Sequence, residues 1–236
     1  MPSKDPHEGN EEMRFSGRLW LSFPIYITGL FITATQPAVA VPFPKFPGAP
    51  NLFGKAVVAP GAAIESVVVS PLFDRRFTCV DHPEGEVTEL GDALGTDCLI
   101  LGGFADKDSG YFRLFKSDGK HNPDWYGWHA PVLSPMNGEV VGIYRNPVTN
   151  TPGHLQPTLP SFIVFKRSDD VIIVYAHVTD IRVKIGDHVT AGQIVALDGN
   201  NGFARAPHIH VGAYRGVTPL QIRWDQRAEQ KIFENE

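Results

Sequence analysis

The sequence is poor in several things, and each shortage narrows what the chain can be. It has two cysteines in 236 residues, no excess of positive charge, and past residue 40 no apolar run long enough to span a bilayer. The formal net charge is −5 and the isoelectric point about 6.0, so there is no basic stripe of the kind that nucleic acid requires. Two cysteines allow a single disulfide. Joining Cys79 to Cys98 would close a loop of about twenty residues and stabilise the fold by about 3 kcal/mol, provided the compartment is oxidising. The competing use of Cys98 as a thiolate ligand beside Asp97 is disfavoured, because neighbours on a strand face opposite ways. No internal repeat is evident. With 20 prolines and 23 glycines the chain favours short strands and many turns over long helices, and its length suits one domain with appendages.

The N-terminus reads as a targeting segment. A short basic start, Met13 to Arg18, precedes the apolar run LWLSFPIYITGLFITA, and Ala38-Val39-Ala40 supplies a small-x-small cleavage site. Glu8, Glu11 and Glu12 fit a basic n-region badly, which places the expected start at Met13. A retained membrane anchor is the alternative. Residues 1–40 are thus expected to be a signal peptide and the protein to be exported, periplasmic or extracellular, with no membrane span after cleavage. The Pro- and Gly-rich stretch 41–61 reads as a linker or an arm over the domain, which is expected at 62–218. A polar tail, 219–236, follows, with a short helix expected from Gln226 to Phe233.

The chemistry gathers between Val171 and Tyr214. His208 and His210 are two apart in the β-forming segment PHIHVGAY, so both imidazoles project from one face of a strand. His177 ends the apolar run VIIVYAH, which also reads as a strand, and antiparallel pairing would set it beside the other two. From Pro131 onward the chain reads as mostly β and antiparallel with long loops. Ser161–Lys166 and Val171–Tyr175 flank Arg167-Ser168-Asp169-Asp170 as a hairpin, and Ile181–Leu197 holds two or three short strands.

Tyr175-Ala176-His177, Val183-Lys184-Ile185-Gly186-Asp187, Gly192-Gln193-Ile194, Gly199-Asn200-Asn201-Gly202 and Pro207-His208-Ile209-His210 follow one another in an order and spacing that resembles the lysostaphin/LytM-type zinc metallopeptidases. The run Ala130–Val141 resembles that family's strand before the core, and the likeness extends over about Val67 to Arg215. The resemblance implies an antiparallel, barrel-sandwich-like β fold, a zinc ion, and peptide bonds in peptidoglycan cross-links or stem peptides as substrate. It implies Asp97 and His210 as ligands, with His177 and His208 acting on the water or the oxyanion rather than binding the metal.

One departure stands out. The family carries H-x-x-x-D, whereas here Ala93 stands four residues before Asp97. His82 is taken as the third ligand, with Asp92 and His121 as the other residues that could fill the role; Asp124 gives only an H-x-x-D spacing with His121. A catalytic zinc needs about three protein ligands and an open position. The alternative is therefore a non-catalytic relative that binds the wall or regulates a partner cell-wall hydrolase. A lipoyl- or biotinyl-type carrier, suggested by IRVKIGDHVTAGQIVALDG, is rejected because Asn200-Asn201-Gly202 follows without a lysine.

Other features read more plainly. Trp125, Tyr126 and Trp128 are expected to pack an inserted loop against the sheet rather than to grip substrate. The segment 146–160 is expected to form a loop beside the cleft. His129, His154 and His188 read as loop or surface residues.

Overall fold

A computed structural model describes residues 43–104 and 110–234. The proposed signal segment lies outside the described residues. The centre of the fold is the hairpin of β6 (Phe162–Lys166) and β7 (Val171–Ala176), which grows into a sheet in the order β2-β3-β10-β7-β6-β5-β8. The other members are β2 (Phe77–Asp81), β3 (Thr96–Ile100), β5 (Gly138–Tyr144), β8 (His188–Val189) and β10 (Ile209–Arg215), with β11 (Thr218–Pro219) beside the end of β10. All these pairings are antiparallel. Two smaller ladders complete the β structure. β4 (Pro131–Leu133) pairs antiparallel with β9 (Ile194–Leu197), and β1 (Ser66–Val69) pairs parallel with β12 (Gln221–Trp224).

Every residue of β7 is buried, and the reason is that both sheet faces are covered. Val171, Ile173 and Tyr175 enter a large core with Phe165, Val132 and Val195. Ile172, Val174 and Ala176 enter a second core with Phe162 and Tyr214. The cover of that second face comes partly from the Pro/Gly-rich segment, where Phe46, Ala49 and Leu52 are buried. The alternation of a strand thus explains an unbroken apolar run: each face has its own core.

Three further observations bear on the expectations. Cys79 and Cys98 are disulfide-bonded across the facing positions of β2 and β3. The helix α1 (Gln226–Phe233) forms, capped by Asp225, whose side chain accepts from the backbone N–H groups of Arg227 and Ala228. Gln221–Trp224, expected to belong to a polar tail, instead forms β12. Its polar residues alternate with Ile222, which is buried in the main core, and the partner strand β1 lies more than 150 residues earlier, beyond the reach of local pattern.

Candidate metal centre

The site is built on one cross-strand row. Asp97 of β3 faces His210 of β10, which in turn faces Ala176 of β7. Facing residues in a ladder project from the same side, so Asp97 and His210 emerge together, while Cys98 and Ile209 turn into the main core. His210 Nδ1 lies 2.9 Å from Asp97 Oδ1. His82 follows β2 by one residue, and its backbone N–H donates to the Gly95 carbonyl at 2.8 Å, which continues the β2–β3 pairing. Val80 faces Asp97, so His82, two residues further on, sits on the same side; its Nε2 is 3.5 Å from Asp97 Oδ2. The three residues bring one donor atom each to within 4.8 Å of one another.

His177 and His208 stand beside this trio. The rings of His177 and His208 have centroids 4.5 Å apart, and His208 Nε2 is 3.7 Å from Asp97 Oδ1. His177 follows β7 directly and lies in the left-handed region, with φ at 66°, a conformation that costs a non-glycine residue on the order of 1–3 kcal/mol. The cost is met by Asn201, whose buried amide donates to the carbonyls of His177 and Val178 at 3.0 Å each and accepts from the Ser161 N–H at 2.6 Å. His177 Nδ1 is 2.8 Å from the Asn201 carbonyl. His208 Nδ1 is likewise 2.8 Å from the Ala206 carbonyl. A carbonyl only accepts, so both Nδ1 atoms carry hydrogen and each neutral ring keeps Nε2 as an acceptor.

The electrostatics divide these histidines. Burial, helped by the neighbouring charge of His208, pushes His177 down to about 3. Burial also lowers His208. For His210 burial again opposes the charged ring, but hydrogen bonds to Asp92 and Asp97 outweigh it and push the ring up to about 10. Burial would raise the Asp97 carboxyl; the His210 hydrogen bond and the charges of His208, His210 and His82 hold it well below the usual carboxylate range.

Asp92 and His121, the other two residues weighed as ligands, lie elsewhere. Asp92 meets His210 through Nε2, the nitrogen opposite the one that faces Asp97. His121 groups with Asp118 and Asp124 on a surface loop. Ala93, in the place of the family histidine, is buried. Trp125 packs at a tilt against Phe115 and donates to the Gly119 carbonyl, and Tyr126 packs on the main core, so these aromatics anchor the inserted loop. His129, His154 and His188 are exposed. The segment 146–160 is stitched to the site wall: Asn150 donates to the carbonyls of Gly202 and Ala204, and Asn200 donates to Asn122. The roles of Asn150, Asn200 and Asn201 escape a sequence reading, since Asn among turn-forming residues signals only a turn.

Two imidazoles, a carboxylate and two flanking histidines on a β-sheet are the furniture of a metal-dependent hydrolase. Residues 126–222 match the family model of peptidase family M23, and this part of the chain is similar to LytM-type peptidases of that family. It is 47% identical over 36 residues to lysostaphin of Staphylococcus staphylolyticus, a segment covering 15% of this chain and 8% of that protein. The same identity over 36 residues relates it to the glycyl-glycine endopeptidase ALE-1 of Staphylococcus capitis, covering 15% of this chain and 10% of the relative. An uncharacterized metalloprotease of Haemophilus influenzae is 26% identical over 97 residues, 40% of this chain and 18% of that protein. The chain therefore spans well under two thirds of these relatives. Among solved structures, lysostaphin in solution superposes with a TM-score of 0.38 at 17% identity, covering 63% of this chain and 47% of that one. A zinc-containing peptidase from Vibrio cholerae gives 0.35 at 22%, covering 72% and 38%. Among the described residues, no helix is long and apolar enough to cross a membrane.

Proposed function

We propose that this protein is an exported zinc-dependent endopeptidase that hydrolyses peptide bonds in peptidoglycan cross-links or stem peptides. The observation that carries the proposal is the convergence of His82, Asp97 and His210 beside His177 and His208. The donor set fits zinc: two imidazoles and a carboxylate are N/O ligands of the type found in three-ligand catalytic sites. The His82 ring buries its Nδ1 without a hydrogen-bond partner, so no competing tether holds it away from an ion. His82, Asp97 and His210 would hold the metal. When bound, zinc would lower the pKa of a water to about 7 and polarise the scissile carbonyl.

The chain's own residues then do the proton work. The Asn201 and Ala206 carbonyls lock Nδ1–H in His177 and His208, which leaves Nε2 as the acceptor on each of two neighbouring rings. Both rings are kept neutral by burial. One Nε2 orients the attacking water and takes its proton; once protonated, it can donate to the oxyanion or to the leaving amine. Asn201 keeps His177 from relaxing out of its left-handed turn.

Peptidoglycan as substrate draws on the match of residues 126–222 to the M23 family, and the name of the glycyl-glycine endopeptidase favours small-residue peptides. Export draws on the N-terminal pattern and on the Cys79–Cys98 disulfide, which belongs to an oxidising compartment. Ala93 favours a second reading, a non-catalytic family member that binds the wall or a hydrolase partner. Zinc content per chain separates the two, measured for the wild type and for His82→Ala, Asp97→Ala and His210→Ala. One zinc per wild-type chain, lost in each variant, together with digestion of peptidoglycan, is the expected result. A wild type that stays metal-free with zinc supplied would sink the enzyme reading.

A further inference from the structure

His210 has a carboxylate at each end of its ring. Nδ1 faces Asp97 Oδ1 at 2.9 Å, and Nε2 lies 3.1 Å from Asp92 Oδ1 and 3.2 Å from the Gly91 carbonyl. The two nitrogens of an imidazole point away from each other, so a ring that meets an ion through the Asp97 side turns its other nitrogen to Asp92. Asp92 accordingly stays outside the group formed by His82, Asp97 and His210.

The turn that delivers Asp92 is tied to β10 by close backbone approach. A side chain on Gly212 would collide with the Gly91 carbonyl oxygen, and a Cβ on Gly95 would come within 2.9 Å of His210 Cε1. Inside the turn, the N–H groups of Asp92 and Ala93 both donate to the Glu89 carbonyl, and Gly95 N–H donates to the Asp92 carbonyl. Ala93 is thereby buried within the turn, while the neighbouring carboxylate reaches the histidine ring. The segment in which the family carries a ligand at position 93 here presents an acid to the His210 ring from position 92.

We propose that Asp92 is a positioning residue of the metal site: it accepts Nε2–H of His210 and so holds Nδ1 toward Asp97 and His82. The proposal rests on the reading of those three residues as ligands. A neutral histidine that gives one nitrogen to a metal must place its remaining N–H, and a carboxylate acceptor both fixes the ring and makes the ligating nitrogen more basic. The loss of such an outer partner costs about 10–100-fold in metal affinity. The Gly91 carbonyl stays as a second acceptor, which puts the expected effect at the lower end.

The test is the zinc dissociation constant of the full chain, by competition with a chromogenic chelator, for the wild type, Asp92→Ala, Asp92→Asn and His210→Ala. The Asp92 side chain is 51% exposed and pairs with His210, so its variants should fold. The expected result is zinc binding weakened about tenfold by Asp92→Ala and partly recovered by Asp92→Asn, whose amide oxygen still accepts. In parallel, the imidazole ¹⁵N spectrum of the zinc-loaded protein should show a slowly exchanging Nε2–H on His210 that exchanges faster in Asp92→Ala. An Asp92→Ala protein with wild-type affinity would overturn the proposal and leave the ligand reading intact. Loss of zinc from Asp92→Ala as complete as from His210→Ala, without recovery in Asp92→Asn, would overturn it by making Asp92 a ligand. A wild type without zinc would defeat both, and would be recognised because no variant then matters.

Discussion

The two sides of the site are held by very different means. His210 rises from β10, which is paired on both sides, to β3 and to β7, and backed by two cores. His82 follows β2, which among the described residues is an edge of the sheet with β3 as its one strand partner, and whose outward Val80 is 64% exposed. On the inner side burial fixes register, because a one-residue slip would turn every apolar side chain to the wrong face. The edge has little such burial. Its register depends on the ladder to β3 and on the Cys79–Cys98 bond, which closes the ladder three residues before His82. The proposed third ligand is therefore covalently stapled to the strand that carries Asp97. A ligand outside the family's usual place would need another source of rigidity, and the disulfide supplies one for His82.

The contrast is open to attack from both sides. The largest expected effect is at the centre: Ile173→Ala, fully buried in β7, should cost about 2–5 kcal/mol in urea unfolding. A cost under half of that would mean the inner strands do not carry the fold. Reducing the disulfide should cost about 3 kcal/mol in the chain-entropy model, and zinc affinity should fall along with stability. If reduction lowers stability but leaves zinc affinity untouched, the staple does not position His82.

Asp198 tests the inner side through pH. It is fully buried, and burial raises its pKa well above the ordinary carboxylate value, outweighing a hydrogen bond from the Gly199 backbone. The folded state thus favours the protonated form. Its contribution is fully present below the unfolded pKa of about 4 and is lost as pH rises toward the folded value, at about 1.4 kcal/mol per pH unit. Asp198→Asn should match the wild type near pH 4 and exceed it in stability at pH 7; equal melting temperatures at both pH values would refute a neutral buried acid. The smallest effect belongs to the edge, where Val80→Thr should change stability by no more than about 0.5 kcal/mol. A larger loss there would show that the edge is less independent of the core than its exposure implies.

Much of this arrangement can be read from local pattern. The hairpin Phe162–Ala176, the shared orientation of His208 and His210, and the helix after Asp225 each follow from periodicity or capping within a few residues. The facing cysteines were legible by count alone, since two leave one pairing. What local pattern misses is made by distant pairing. β12 meets β1 across most of the chain, and Asp92 reaches His210 only because the turn before β3 lies against Gly212. Asp198, an acid inside a run that reads as a turn, gives no sign of its burial.

The sequence by itself determined that the chain is mostly β, that three histidines gather near the end of the central strands, and that it resembles the M23 peptidases. These follow from short-range rules: side chains alternate along strands, glycines and prolines punctuate them, and motif spacing survives without coordinates. Only the tertiary structure shows which residue lies close enough to Asp97 and His210 to be proposed in place of the histidine missing at position 93. That choice depends on the β2–β3 register, which brings His82 and not His121 or Asp92 to the Asp97 side of His210. Register between strands is set by how distant faces pack, and no local spacing in the sequence encodes it.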